Sequence, residues 1–159
     1  MRRLPALLLA LLPFTGLPAR AEPRAVTSVT GVAEDYARNC QGCHREDGMG
    51  AFLSVPRLKD FVGLFAHLPE GRDYLIRVPG VAWAMLDDER LARVVNWTLL
   101  TFSRGQLPAE FRPYTAAEVA RARRQPLVAV QATRARLIAA LQARGLLPPG
   151  EDGLVSARR

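Results

Sequence analysis

The chain is poor in the residues that most often build metal clusters and disulfide frameworks. Only two residues are cysteine, Cys40 and Cys43, and only two are histidine, His44 and His67. Two cysteines exclude a four-cysteine zinc site, and His44 follows Cys43 too closely for the usual ligand spacing of a Cys2His2 site. The βαβ pattern that accompanies a thioredoxin-like cysteine pair is also missing. A local disulfide and a covalently held cofactor are the interpretations that remain.

Lysine is almost absent too. Lys59 is the single lysine among 22 basic residues, and the others are arginines scattered along the chain. The net charge is +7, and removal of an N-terminal export signal with three arginines and no acid lowers it to +4. We expect no nucleic-acid partner for such a chain. Its mild positive charge could steer docking to an acidic redox partner.

The two cysteines belong to the most specific motif of the chain. Cys40-Gln-Gly-Cys43-His44 reads C-x-x-C-H, which predicts attachment of one covalent haem c. The two-residue spacer brings both thiols onto one turn, from which they can form thioethers with neighbouring vinyl groups of the same porphyrin. His44 is then directed at the iron as the proximal ligand. The haem would supply the redox chemistry, and the protein would tune it.

Residues 1–21 have the pattern of an export signal. Arg2 and Arg3 precede an apolar run, and Ala19-Arg-Ala21 fits a cleavage site. The run is too short for a permanent membrane span, although an uncleaved anchor is an alternative. We therefore expect a periplasmic protein that begins at Glu22 and has no permanent membrane span.

Hydrophobic periodicity predicts an all-α fold with two parts, a haem domain in residues 22–104 and a C-terminal extension with its tail in residues 105–159. A helix with Asp87 as its N-cap is the strongest prediction. The extension is expected to form a helical hairpin that either packs on the haem domain or docks a partner. The predicted helices are 31–40, 59–68, 88–103, 115–124 and 126–144, with a turn at 71–73 and a frayed tail from Leu147 onward.

Residues 31–104 resemble the class I cytochrome c family, which carries one haem in a small helical domain. Tyr36 and the C-x-x-C-H motif match its first helix, residues 47–50 its glycine-rich loop, and residues 55–58 its G-P-x-L segment. Residues 86–97 resemble its final helix.

This resemblance also implies roles for individual residues around the haem. The Pro56 carbonyl would accept a hydrogen bond from the ring of His44, which fixes the tautomer of the ligand. Leu58 would pack on the haem. Trp97 is a further candidate for packing on the haem, although its place on an apolar helix face also suits a core residue.

The sixth iron ligand is the most open prediction. The family usually supplies a methionine from the loop before the final helix, and Met85 lies in that region. The family methionine stands several residues before the helix, whereas Met85 is only two residues before Asp87, so it could instead be a core residue. The alternatives are a vacant or water-filled position, His67 and Met49. Methionine–histidine ligation suits electron transfer, whereas an open position would bind small ligands.

Together these features predict a periplasmic c-type cytochrome that carries single electrons and is not itself an enzyme. We expect its partner to be a periplasmic redox protein, such as a dehydrogenase donor or an oxidase acceptor. The alternative is a haem-bearing subunit or sensor with an open sixth coordination site, docked to a larger redox enzyme.

Overall fold

The computed structural model describes residues 29–154, and every regular element in that range is helical, which confirms the all-α prediction. One isolated bridge, between Ala51 and Val55, interrupts the loop after the second helix. The predicted signal peptide lies outside the described residues. The helices are α1 (Val29–Asn39), α2 (Gln41–His44), a 3₁₀ helix (Val62–His67), α3 (Pro69–Arg77), α4 (Pro79–Ala82), α5 (Asp88–Phe102), a 3₁₀ turn (Arg104–Gln106), α6 (Ala116–Arg123) and α7 (Val130–Ala143).

Helices α1 and α5 pack together and are joined by a buried ion pair. Asp87 caps α5 as predicted, because its carboxylate accepts a hydrogen bond from the Arg90 amide at 2.8 Å. The Arg90 guanidinium bonds both carboxylate oxygens of Asp35 in α1. Asp35 is buried, so this pair supplies the partner that its carboxylate requires.

The C-terminal extension packs on the rest of the molecule and shares its hydrophobic core. Val32 of α1 and Leu91 of α5 belong to the same buried cluster as Val119 of α6 and Leu141 of α7. This finding decides between the two roles open for the predicted hairpin, since α6 and α7 bury their apolar residues within the chain. None of the helices in residues 29–154 combines the length and the apolar character needed to cross a membrane.

One side chain joins α5 to the segment that leads into α6. The Asn96 amide donates to the Tyr114 carbonyl at 2.9 Å, and the Asn96 carbonyl oxygen accepts from the Tyr114 amide at 2.7 Å. The Tyr114 hydroxyl donates to the Arg72 carbonyl in α3 at 3.0 Å. Tyr114 therefore attaches the extension to two helices at once.

We expect Asn96→Ala to destabilise the folded protein by about 2 kcal/mol, because it removes two hydrogen bonds and leaves the buried Tyr114 amide without a partner. Denaturant unfolding of the haem-loaded protein measures this change. Thr101→Ala, at an exposed position on the same helix, is the matched control and should shift stability by less than about 0.5 kcal/mol. Equal effects of the two substitutions would contradict this role of Asn96.

Two local predictions for the middle of the chain are wrong. Residues 71–73 lie within α3 and not in a turn, because Pro69 starts the helix and Gly71 lets it approach Phe65. A Cβ at Gly71 would stand 2.1 Å from the Phe65 carbonyl oxygen. The predicted helix over 59–68 is a shorter 3₁₀ helix, because Asp60 has a φ of 51° and donates its amide to the Phe102 carbonyl.

Two further predictions fail in the extension. Pro126 does not restart a helix, because the next amide, that of Leu127, donates to the Arg77 carbonyl at 2.8 Å and α7 begins only at Val130. The described part of the tail is not frayed. Leu147 is buried, and the Gly153 carbonyl accepts from the Arg57 amide at 2.9 Å.

Candidate haem-binding site

The C-x-x-C-H motif forms one helical turn directly after α1. The Cys40 amide donates to the Tyr36 carbonyl at 2.8 Å, and the His44 amide donates to the Cys40 carbonyl at 2.9 Å. The Tyr36 hydroxyl donates to the Arg45 carbonyl at 2.8 Å and so ties the end of the turn back to α1. The two cysteines and His44 are thereby held on one short, rigid segment.

The two thiols differ in environment and are not joined to each other. Cys43 is exposed and Cys40 is half-buried. Burial, together with the neighbouring Cys43 and Asp35, raises the pKa of Cys40 to about 11. A thioredoxin-like nucleophile requires the opposite shift, toward a stable thiolate, so this environment disfavours that interpretation.

His44 has the features expected of a neutral ligand. Burial lowers the pKa of His44, and a backbone interaction with the Pro56 carbonyl partly opposes this effect. The Nδ1 atom is buried and has no hydrogen-bond partner of normal geometry. A neutral imidazole whose buried nitrogen faces no competing side chain fits the donor that haem iron takes from histidine.

The loop that carries Pro56 and Leu58 depends on two glycines. Gly48 and Gly50 have φ values of 71° and 72°. The Gly48 carbonyl accepts from the Leu58 amide at 2.7 Å, and the Gly50 amide donates to the His44 carbonyl at 3.1 Å. The loop is therefore folded back so that Pro56 and Leu58 lie on the segment beside His44.

We expect Gly50→Ala to destabilise this loop, because left-handed backbone costs a residue with a Cβ about 1–2 kcal/mol. The added Cβ would also stand 2.2 Å from the Val55 carbonyl oxygen. The unfolding free energy and the yield of haem-loaded protein should both fall. Gly80→Ala is the matched control, since a Cβ there meets nothing within 4 Å. Wild-type stability in Gly50→Ala would show that the loop does not need this conformation.

An aromatic cluster lies behind the motif, between α1 and the end of α5. The Tyr36 ring centroid is 5.1 Å from that of Trp97 and 5.3 Å from that of Phe102. Trp97 is only half-buried, so part of its indole is available to another apolar group. This placement is compatible with both roles predicted for Trp97.

The candidates for the sixth ligand have different environments. The Met85 side chain is 92% exposed, which excludes the role of an ordinary core methionine. The His67 Nε2 atom is 3.0 Å from the Gln106 carbonyl and is already engaged there. The Met49 amide is held by the Asp47 carboxylate in the loop that follows His44. Among residues 29–154 no group of three or more His, Cys, Asp or Glu side chains forms a separate metal site.

Three arginines that could pair with haem propionates are instead engaged by the extension. Arg72 forms a bidentate pair with Glu118 at 3.0 and 3.1 Å. Arg77 donates to the Gln125 carbonyl at 2.7 Å, and Arg57 lies 3.6 Å from the Glu151 carboxylate. These contacts give all three a structural role.

The fold and the motif together define an all-α protein with a histidine and two thiols presented on one turn. No family model matches the chain. It is similar to the cytochrome c-552 of Thermus thermophilus, with 31% identity over 117 residues that cover 62% of this chain and 88% of the relative. A second cytochrome c-552, from a named strain of Thermus thermophilus, is also 31% identical, over 62% of this chain and 78% of its own length. The chain therefore belongs to the c-type cytochromes, which are electron-transfer proteins with haem c and not enzymes.

Proposed function

We propose that this protein carries single electrons in the periplasm through one haem c, attached by thioethers to Cys40 and Cys43. His44 is the proximal ligand and Met85 the distal ligand. The observation that carries the proposal is the single turn 40–44, where two unpaired thiols and an uncharged imidazole follow one another. When bound, the haem iron supplies the one-electron change between its ferric and ferrous states.

The residues around the motif bind and tune the group. The Pro56 carbonyl orients the His44 ring and keeps its basicity high, which is the usual task of a partner to a ligating histidine. Leu58 and Trp97 supply apolar surface that excludes water. A drier environment changes the relative stability of the two iron charges and thereby sets the potential.

Met85 is supported as the distal ligand by its position and by its exposure. It stands in the segment between α4 and α5, where the class I family places its methionine. Its thioether packs against no core residue and is therefore available to another group. A soft thioether favours ferrous iron and raises the reduction potential, which suits an electron carrier.

The cellular setting follows from the N-terminal export pattern. We place the mature chain in the periplasm, with residues 22–104 as the haem domain and 105–159 as its extension. The donor would be a periplasmic dehydrogenase, or the acceptor an oxidase. The residues outside the described range carry the export prediction, so N-terminal sequencing of the periplasmic product is its direct test, with Glu22 expected as the first residue.

A redox titration of the purified protein tests the proposed activity. We expect one haem per chain by pyridine haemochrome and a reversible transition that fits a single electron. Ferrous protein should bind carbon monoxide slowly, because Met85 must first leave the iron. Rapid binding would favour the alternative, a subunit or sensor with an open sixth site, and absence of haem would overturn both.

A further inference from the structure

A single arginine of the C-terminal extension binds the whole segment that contains Met85. Arg123, at the end of α6, donates from Nε to the Ala82 carbonyl at 3.0 Å and from Nη2 to the Ala84 carbonyl at 2.7 Å. Its Nη1 atom donates to the Leu86 carbonyl at 2.8 Å and to the Asp88 carboxylate at 3.1 Å. All three nitrogens of the guanidinium are used, on four acceptors that cover both ends of the segment.

The pattern of these contacts determines what is held and what is left free. The carbonyls of Ala84 and Leu86 flank Met85, so the backbone is fixed on both sides of this residue. The side chains of Trp83 and Met85, which alternate with the bound carbonyls, are 67% and 92% exposed. Arg123 therefore fixes the backbone of the segment while the Met85 thioether stays outside the core.

The segment has few other backbone restraints. The Trp83 amide donates to the Pro79 carbonyl at 3.0 Å and the Ala84 amide to the Val81 carbonyl at 3.1 Å, and both bonds complete the turn of α4. The carbonyls of Ala82, Ala84 and Leu86 are each satisfied by the Arg123 side chain. A positive charge suits the C-terminal end of a helix and the oxygens beyond it.

Arg123 itself stands on a fixed base. Its helix buries Val119 and Ala122 in the shared core, and Glu118 forms the bidentate pair with Arg72 of α3. The Arg123 side chain is only 18% exposed, so its hydrogen bonds are largely shielded from water. The extension can thus hold the segment from outside it.

We propose that Arg123 is a positioning residue for Met85, and that it holds the segment between α4 and α5 where the thioether meets the iron. This role rests on the proposed function of Met85. Only the planar, five-donor guanidinium can satisfy all these acceptors at once, whereas the compact ammonium of a lysine cannot. The C-terminal extension therefore serves the electron-transfer site directly.

Haem-loaded Arg123→Gln, Arg123→Lys and the matched control Arg121→Gln test this role. Arg121 is exposed on the same helix and donates none of these hydrogen bonds. We expect amide hydrogen exchange in residues 83–86 to accelerate on the order of a hundredfold in Arg123→Gln, as loss of about two charge-assisted hydrogen bonds predicts. Carbon monoxide should then bind the ferrous protein faster and the potential should fall. Arg123→Lys retains the charge and should show the same changes to a smaller extent.

Met85→Ala, measured beside these variants, separates the two ideas. Faster exchange together with faster carbon monoxide binding in Arg123→Gln, both absent in Arg121→Gln, supports the positioning role. Unchanged exchange in residues 83–86, in either Arg123 variant, would overturn it. Faster exchange with wild-type carbon monoxide binding would also overturn it, if Met85→Ala itself binds the gas faster. A Met85→Ala protein that behaves like the wild type would instead remove Met85 as the ligand, and with it the proposed function of this segment.

Discussion

The double substitution Cys40→Ala and Cys43→Ala is expected to abolish covalent haem attachment. The mature product should have the mass of the bare polypeptide, and denatured protein should give no haem stain. The physical reason is simple, since these are the two cysteines of the chain and each thioether requires one thiol. No other residue type can replace them in this bond.

We expect this variant to fold poorly as well. The covalent haem would contribute much of the apolar centre of the first part of the chain, and side chains such as Leu58 and Trp97 would lose the surface on which they are proposed to pack. Near-ultraviolet circular dichroism and protease sensitivity of the exported product measure this loss.

Single substitutions provide the control for the double variant. Cys43→Ala alone should keep one thioether through Cys40, and its pyridine haemochrome spectrum should shift toward that of a haem with one free vinyl group. A double variant that still carries a covalent haem would contradict the proposed attachment. Loss of haem in Met49→Ala, a variant outside the motif, would instead indicate a general folding defect.

The substitution Met85→Ala is expected to have the second largest effect. Removal of the thioether should open the sixth position, so ferrous protein should bind carbon monoxide rapidly. The reduction potential should fall by a substantial part of the about 0.8 V that axial ligation spans among haem proteins. Stopped-flow mixing with carbon monoxide and a redox titration measure the two effects.

Met49→Ala is the matched control for this experiment, because Met49 lies in the loop after His44 and not in the segment before α5. It should leave the potential and carbon monoxide binding unchanged. If Met85→Ala keeps the wild-type potential and Met49→Ala does not, the ligand assignment is wrong and passes to Met49.

Local sequence patterns predict much of this fold. Helix α5 was predicted because Asp87 is a good N-cap and apolar residues recur at helical spacing, and the structure confirms both features. Helix α6 was predicted from Thr115, whose hydroxyl accepts from the Glu118 amide at 3.1 Å. The reciprocal half of that capping box is replaced, because the Glu118 carboxylate bonds Arg72 instead. Such signals succeed where both partners lie within one helical turn.

The predictions that failed depend on contacts between distant residues. Gly71 was assigned to a turn because glycine often breaks helices, but here it allows α3 to approach Phe65. Pro126 was assigned to a helix start, but the neighbouring Leu127 amide is claimed by Arg77 of α3. In both cases a tertiary contact outweighs a local preference of the chain.

The sequence by itself determined the chemistry of this protein. The motif that begins at Cys40 and ends at His44 lies within five consecutive residues, so its spacing is readable without any fold. Only the tertiary structure decided which arginines serve that chemistry. Arg123 is 39 positions from Ala84, and nothing in the spacing of the two residues announces their contact. The physical reason is that a short motif is defined by local covalent geometry, whereas the partner of a long charged side chain is chosen by the packing of whole helices.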